Sequence, residues 1–525
     1  MFLVFLNKLK EIITKKQVII FFIFIFSFYF NNFYSNFGVL PLDTFFHFDP
    51  AFRIINGSLP FRDFWIVSGL VPDLIEAFVF SFIDVSWNSH IIHSSIFNGI
   101  IAVSTFIFFD KVGLNKTYSF YYAILFSILA YPLSGTPFVD HHATFFCLLS
   151  MYSFIFALKT KKNFYWSITV LLIFLSFFSK QVPASYFAIL LSLTTLCYCF
   201  FIENIKPLIY SAITIFFLII LTLLFLNIFK IEFNSFLIQY IFYPPSIGEE
   251  RLQNFKDFSI LGFLHEFKFV LIPLGIIIFL NIKKFYKTSN FLKSNEFYIF
   301  LALLIFSTSL LFHQTITKNQ NLTYFLSIIL LGYVHFYLSL NNYKYKSLII
   351  NTLIISSLLI TLKVHFEYNE KRKFHDLKTV KFDNSKNASY IDPKLENLKW
   401  ITRDYKNNPI KEMDFIKGTL KILDNDKRKK IVITNYLFFS ALLNENLYSP
   451  SRSYTLDGAS FPKENNKYFP YYKEFFKKNI IKNKIEVIYL IDLDPLFVSN
   501  YLDNNCISGR KTFDKINIFE INNNC

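Results

Sequence analysis

Hydrophobic residues gather in long blocks over the first two thirds of the chain and thin out after them. Apolar runs recur at 17–35, 89–109, 118–132, 141–158, 164–179, 183–203, 207–228, 268–282, 297–312, 321–340 and 345–364, most of them with few internal charges. About 20 apolar residues cross the hydrocarbon core as a helix, so this pattern predicts eleven transmembrane helices. After residue 365 the character turns mixed and polar. Runs at 429–436, 484–492 and 514–522 predict strands, and segments around 410–424, 437–445 and 467–480 predict helices between them. Strands alternating with helices predict a small α/β domain. The expected architecture is an α-helical polytopic membrane domain at 1–364, with about 11 transmembrane helices plus outer juxtamembrane helices, followed by a soluble α/β domain at 365–525.

One apolar segment resists a spanning assignment. GLVPDLIEAFVFSFI, 69–83, is short and contains Pro72, Asp73 and Glu76. An acid at the centre of a spanning helix costs about 2.5–3.5 kcal/mol on insertion scales. Sidedness argues the same way. Lys8, Lys10, Lys15 and Lys16 put the N-terminus inside, and the later lysine clusters at 159–162, 283–293 and 344–346 all fall inside only if 69–83 lies along the outer interface. The soluble tail then lies outside.

The chain has 525 residues, 53% of them hydrophobic, and a mean hydropathy of +0.39. A soluble protein of this length could not hide that much apolar surface. The formal charge of +16 sits mostly in short loops between apolar runs, as the positive-inside rule expects, so no nucleic-acid partner is inferred. Cys147, Cys197 and Cys199 lie in apolar runs. Cys506 and Cys525 lie in the tail and could pair in an oxidising compartment. No cysteine spacing suggests a metal site. No small-residue cleavage site follows the first apolar run, which is expected to be an uncleaved helix.

With this topology the unusual chemistry falls on one side of the membrane. The first outer loop carries Asp43, His47, Asp49, Arg53, Arg62 and Asp63, with a helix expected at 45–56 and ended by Gly57. PLSGTPFVDHH, 132–142, brings Asp140 and His141 to the mouth of a span. SKQVP, 179–183, places Lys180 and Gln181 at another, a lysine on the face the positive-inside trend disfavours. The loop 229–267 offers Tyr240 and Arg251 for phosphate and lipid contacts, and its Pro244-Pro245 pair and Gly248 are expected to break regular structure. Plain structural readings exist for each: loop ion pairs, a polar helix start, a snorkelling lysine and a mobile connector.

The order Asp43, Gly57, LPFRDFW (59–65) and Gly69-x-x-Pro72 resembles the first outer loop of C-type glycosyltransferases, the multi-span enzymes that include protein O-mannosyltransferases and aminoarabinose transferases. The position after Asp43 is Thr44, where an acid is usual in that family. Asp140 in the next outer loop and Lys180 at a later span end match the same pattern. The resemblance covers roughly 17–340 in architecture. It implies transfer of a sugar from a polyprenyl-phosphate donor to a glycan, lipid or protein acceptor, with inversion, in a bacterial inner membrane whose N-terminus is cytoplasmic and whose C-terminal domain is periplasmic.

The roles it implies are specific. Asp43 is the carboxylate base, with Asp140 sharing that role or orienting the acceptor. Lys180, helped by Arg62 and Arg251, neutralises the departing phosphate. Asp49, Asp63, His141, Gln181 and Tyr240 are supporting residues. No cofactor is required; a divalent metal between Asp43 and phosphate is compatible with the chemistry. The tail has no phosphate loop and no nucleophile elbow, so no separate catalysis is inferred for it. A transporter or flippase would instead place ionisable groups near the bilayer midplane. A glycan polymerase or ligase would carry large late loops rich in Arg and His.

Overall fold

A computed structural model describes residues 16–253, 259–286, 288–318, 320–340, 345–370, 377–455 and 458–522. Every predicted apolar run is a helix: Lys16–Ser35, Trp87–Val112, Lys116–Leu129, Val139–Thr160, Phe164–Ser179, Gln181–Ile202, Lys206–Ile228, Ile260–Tyr286, Asn295–Thr317, Phe325–Ser339 and Lys346–Val364. Among the described residues, 8 helices are long and apolar enough to cross a membrane. Large apolar side chains such as Phe200, Phe216 and Ile228 stand exposed on them, a surface that suits lipid and not water. The chain is a multi-pass membrane protein.

Local chemistry sets the helix ends. Ser86, Asn115 and Ser294 accept hydrogen bonds from backbone N–H groups of the first turn. Gly113, Lys161, Glu203 and Lys318 close helices in the left-handed conformation. The bundle is cemented by aromatic packing, as in the Phe108–Tyr152 stack with centroids 4.2 Å apart. Its two ends differ. One collects basic groups: Lys16 pairs with Asp110 at 2.6 Å, and Lys159 donates to the Val112 carbonyl. The other carries the long first loop and the acids.

In that loop the helix Phe48–Ile55 ends at Asn56, and Gly57 follows in the left-handed region, as expected. Leu70–Phe82 is a helix of 13 residues, about 20 Å long at 1.5 Å per residue, too short to span. Asp73 and Glu76 are turned into the protein while Phe78 and Phe82 face outward. The 229–267 segment departs from expectation. Among its described residues Phe233–Phe236 is α-helical, Leu237–Phe242 has wider π-type turns, and Tyr243–Gln253 is α-helical. Pro244 and Pro245 sit in the first turn of that last helix, where proline is tolerated, and the π turns absorb the missing donors.

The C-terminal part opens with a two-residue ribbon, β1 (Lys386–Asn387) and β2 (Lys399–Trp400). A four-stranded sheet follows in the order β3-β4-β6-β5: Lys430–Ile433, Val487–Ile491, Ile516–Ile521 and Ile507–Phe513. β3 and β4 are parallel; the other pairs are antiparallel. The helices Pro409–Asn425, Phe439–Leu443 and Phe469–Asn483 match the predicted ones. Cys506 is disulfide-bonded; Cys525 lies outside the described residues.

This domain shares its core with the first loop. Val39, Phe45 and Phe48 of the first loop share one hydrophobic cluster with Trp400, Met413 and Phe438. Backbone bonds stitch the two parts together: Val39 N–H to Ile401 O at 2.9 Å and Trp65 N–H to Pro450 O at 2.8 Å.

Candidate functional site

Three ionisable groups from three helices meet where the spans open onto the first loop. Asp140 stands in the first turn of Val139–Thr160. Lys180 is the extended residue between Phe164–Ser179 and Gln181–Ile202. His313 lies in the last turns of Asn295–Thr317. Lys180 Nζ is 2.7 Å from Asp140 Oδ1, and His313 Nε2 is 3.0 Å from that same oxygen. Both partners crowd one oxygen of Asp140. Its Oδ2 has no hydrogen-bond partner among the described residues and is not sealed from solvent. The carboxylate is thus anchored by one oxygen, while the other can accept a hydroxyl.

A second cluster lies across Gly69. Asp73 accepts from His47 Nδ1 at 2.6 Å and forms a close ion pair with Arg452 of the C-terminal domain, which also donates to the Ser68 carbonyl. Gly69 N–H donates to Ser179 O, next to Lys180. A Cβ at Gly69 would stand 2.5 Å from Arg452 Nη1, 2.9 Å from Val139 Cγ1 and 3.1 Å from His47 Cε1, at a φ of +83°. Only glycine lets the loop, the Val139–Thr160 helix and the C-terminal domain close on one point. Gly69→Ala is expected to cost about 1–3 kcal/mol, read as a lower thermal midpoint of the detergent-solubilised protein.

A third set is a ladder of hydrogen bonds. Phe138 N–H donates to the Tyr131 oxygen, and His142 Nδ1 lies 2.7 Å from the Tyr131 hydroxyl and 3.2 Å from the Phe138 carbonyl. His142 Nε2 and His93 Nε2 are 3.0 Å apart, and His93 Nδ1 donates to Glu76 Oε2 at 2.5 Å. The other Glu76 oxygen accepts from His90 Nδ1 at 2.7 Å, while His90 Nε2 donates to the Thr44 carbonyl at 2.9 Å. His90 thus bridges the Glu76 carboxyl and the Thr44 carbonyl, all of it buried. Burial alone would raise the Glu76 carboxyl, but the charges and hydrogen bonds of His90 and His93 hold it below its ordinary value.

Burial, and then the Arg452 charge, push the His47 imidazole well below its ordinary value. The unfolded chain takes up a proton there near pH 6.5 and the folded protein does not. Stability contributed by a neutral His47 is therefore complete above about pH 6.5 and is lost as pH falls below it, by up to about 1.4 kcal/mol per pH unit. His47→Gln keeps a donor for Asp73 without a titration. Burial raises the Asp73 carboxyl to about 8, which stabilises the fold as pH falls in parent and variant alike, so the expected result is that the parent's thermal midpoint drops relative to that of His47→Gln between about pH 7 and 5.

Asp43 is not joined to the Asp140–Lys180 pair. It is half-buried in the short helix Pro41–Thr44 and lines a hollow of about 680 Å³ together with Asp404, Glu412, Asn435 and Asp492 of the C-terminal domain. Its neighbour Thr44 receives the His90 bond, so it sits one residue from the ladder. Arg62 lies elsewhere, donating to Asp63 at 2.7 Å and to the Gly57 and Phe229 carbonyls. Asp63 also accepts from Lys482 at 2.6 Å. The side chain of Arg251 lies outside the described residues. No family model matches the chain, and no curated protein matches it. Among solved structures its fold is similar to an archaeal oligosaccharyltransferase, AglB from Archaeoglobus fulgidus, solved with an inhibitory peptide and a dolichol-phosphate. The TM-score is 0.44 at 11% identity, over 91% of this chain and 69% of that one. A likeness of that size does not reach the side chains, and no residue here takes a role from it.

The remaining expected residues are held by hydrogen bonds within the chain. Asp49 accepts from Ser440 Oγ and Ala441 N–H of the C-terminal domain; burial raises its carboxyl, against the pull of Arg53. Gln181 donates to the Val67 and Tyr240 carbonyls, and Tyr240 donates to Phe177 O at 3.0 Å. His141 Nε2 donates to Ala130 O at 3.2 Å. Among the described residues no three His, Cys, Asp or Glu side chains gather as a metal-ligand set. Sequence reasoning missed His313 and the Asp73–Arg452 and Glu76–histidine clusters as site chemistry. The signals available were His90 and His93 at i, i+3, and the acids in a helix too short to span.

Proposed function

We propose that this protein is a membrane glycosyltransferase that moves a sugar from a polyprenyl-phosphate donor to an acceptor hydroxyl on the extracytoplasmic face, with inversion. The observation that carries the reading is the meeting of Asp140, Lys180 and His313 at the loop-bearing end of the bundle, with Asp140 Oδ2 left open. The gathering of lysines at the opposite end supports the orientation.

In this reading the acceptor oxygen bonds to the anomeric carbon as the bond from that carbon to the phosphate oxygen breaks. Lys180, whose side chain is 17% exposed, neutralises the leaving phosphate. Asp140 accepts a hydrogen bond from the acceptor and orients it. Asp43, at the edge of the C-terminal hollow, takes the proton. The hollow is large enough for one or two sugar units of an acceptor.

The test is direct. Membranes containing the protein are given labelled polyprenyl-phosphate sugars, and label is followed into acceptor fractions. Transfer that is lost in Lys180→Ala supports the reading. Label that crosses the bilayer on its original carrier, with no new glycosidic bond, would identify a flippase and sink it.

A further inference from the structure

A second polar cleft, of about 420 Å³, opens where the Lys206–Ile228 helix leaves the membrane. Its lining brings together Arg62 and Trp65 of the first loop, Lys230 just beyond the helix, and Lys478 and Lys482 of the helix Phe469–Asn483. Glu232 and Glu474 in the lining, and Asp63, which pairs with both Arg62 and Lys482, oppose these cations and leave a surplus of one positive charge. Lys478 shares Glu474 at 2.9 Å and Lys482 shares Asp63 at 2.6 Å.

Two further observations point to a ligand and to its source. Trp65 is 2% exposed, yet its indole N–H has no acceptor among the described residues. Buried donors are nearly always paired, so this one is suited to an acceptor that comes from outside the chain. The helix beneath the cleft has the barest flank of the described long apolar helices, with 6% of its apolar window buried. Ile228, Phe229 and Phe233 are exposed right at the cleft's lower edge. Lys230 follows the helix end by two residues and so stands at headgroup level.

We propose that this cleft holds the phosphate headgroup of an anionic phospholipid of the surrounding bilayer, with the acyl chains lying along the bare face of Lys206–Ile228. Because Lys478 and Lys482 belong to the C-terminal domain, the bound lipid ties that domain to the membrane surface. The proposal does not depend on sugar transfer.

The experiment uses the full-length protein in neutral detergent, titrated with phosphatidylglycerol or phosphatidylcholine and read by native mass spectrometry. One phosphatidylglycerol should be retained in preference to phosphatidylcholine. Lys230→Gln with Lys478→Gln, both at the surface, should weaken that retention by roughly tenfold at unchanged thermal midpoint, and Trp65→Phe should weaken it several-fold. Equal retention of the two lipids, or undiminished retention by the double variant, overturns the proposal. So does displacement by soluble glycerol phosphate, which would make the cleft a site for free anions, or stoichiometric displacement by a polyprenyl phosphate, which would give it to a donor.

Discussion

Asp43→Asn lowers sugar transfer by about 10²–10⁴-fold and leaves the thermal midpoint where it was. The first effect follows, in the proposed reaction, from removing the carboxylate assigned to accept the acceptor proton; the amide keeps the shape and loses the basicity. The second follows from its half-buried position at the edge of an open hollow. Asp140→Asn provides the contrast. That carboxylate anchors Lys180 and His313, so its loss disturbs both turnover and stability. If Asp43→Asn turns over at near-normal rate while Asp140→Asn does not, the base is Asp140 and the hollow beside Asp43 has another use. Steady-state transfer by both variants, set beside their melting curves, separates the two assignments.

Arg452→Ala destabilises the protein by about 3–5 kcal/mol, the usual result of stripping one partner from a buried ion pair. Asp73 is fully enclosed, and with Arg452 gone only His47 faces its charge. The same side chain ties the C-terminal domain to Ser68 and stacks over Phe46 at 4.8 Å. The variant should therefore melt early and show protease cleavage between the C-terminal domain and the bundle. Replacing both partners, Asp73→Leu with Arg452→Met, should recover much of the loss, since no charge is then left without a partner. A double variant no better than Arg452→Ala would mean that the guanidinium's contacts to Ser68 and Phe46 matter more than the pair.

The helices were legible because lipid imposes a simple rule: a segment either is apolar for about 20 residues or does not cross. The same rule singled out Leu70–Phe82, where Asp73 and Glu76 break the run. Lys180 was legible as a cation on the disfavoured side and Asp140 as an acid at the mouth of a span, but their pairing was not. Other features depended on three-dimensional closure. Arg452 is 379 residues from Asp73 along the chain, and nothing local marks it. Strand β5 carries no strand signal because ISGRKTF is mostly polar; it is the edge of the sheet, where exposed Arg510 and Lys511 discourage further pairing. The prolines of 244–245 read as breakers because sequence alone does not show that they open a helix.

The shared core of the first loop and the last domain has a consequence for biogenesis. Phe45, Phe48 and Val39 emerge early in synthesis, but the surfaces they pack on, Trp400 and Phe438, follow more than 350 residues later. Until those arrive, the early aromatics stand at the membrane edge covered only in part, by Phe80 and Trp87. Newly made chains should then need a holding chaperone on that face, and a premature stop anywhere in the final third should yield a product that inserts yet is promptly degraded.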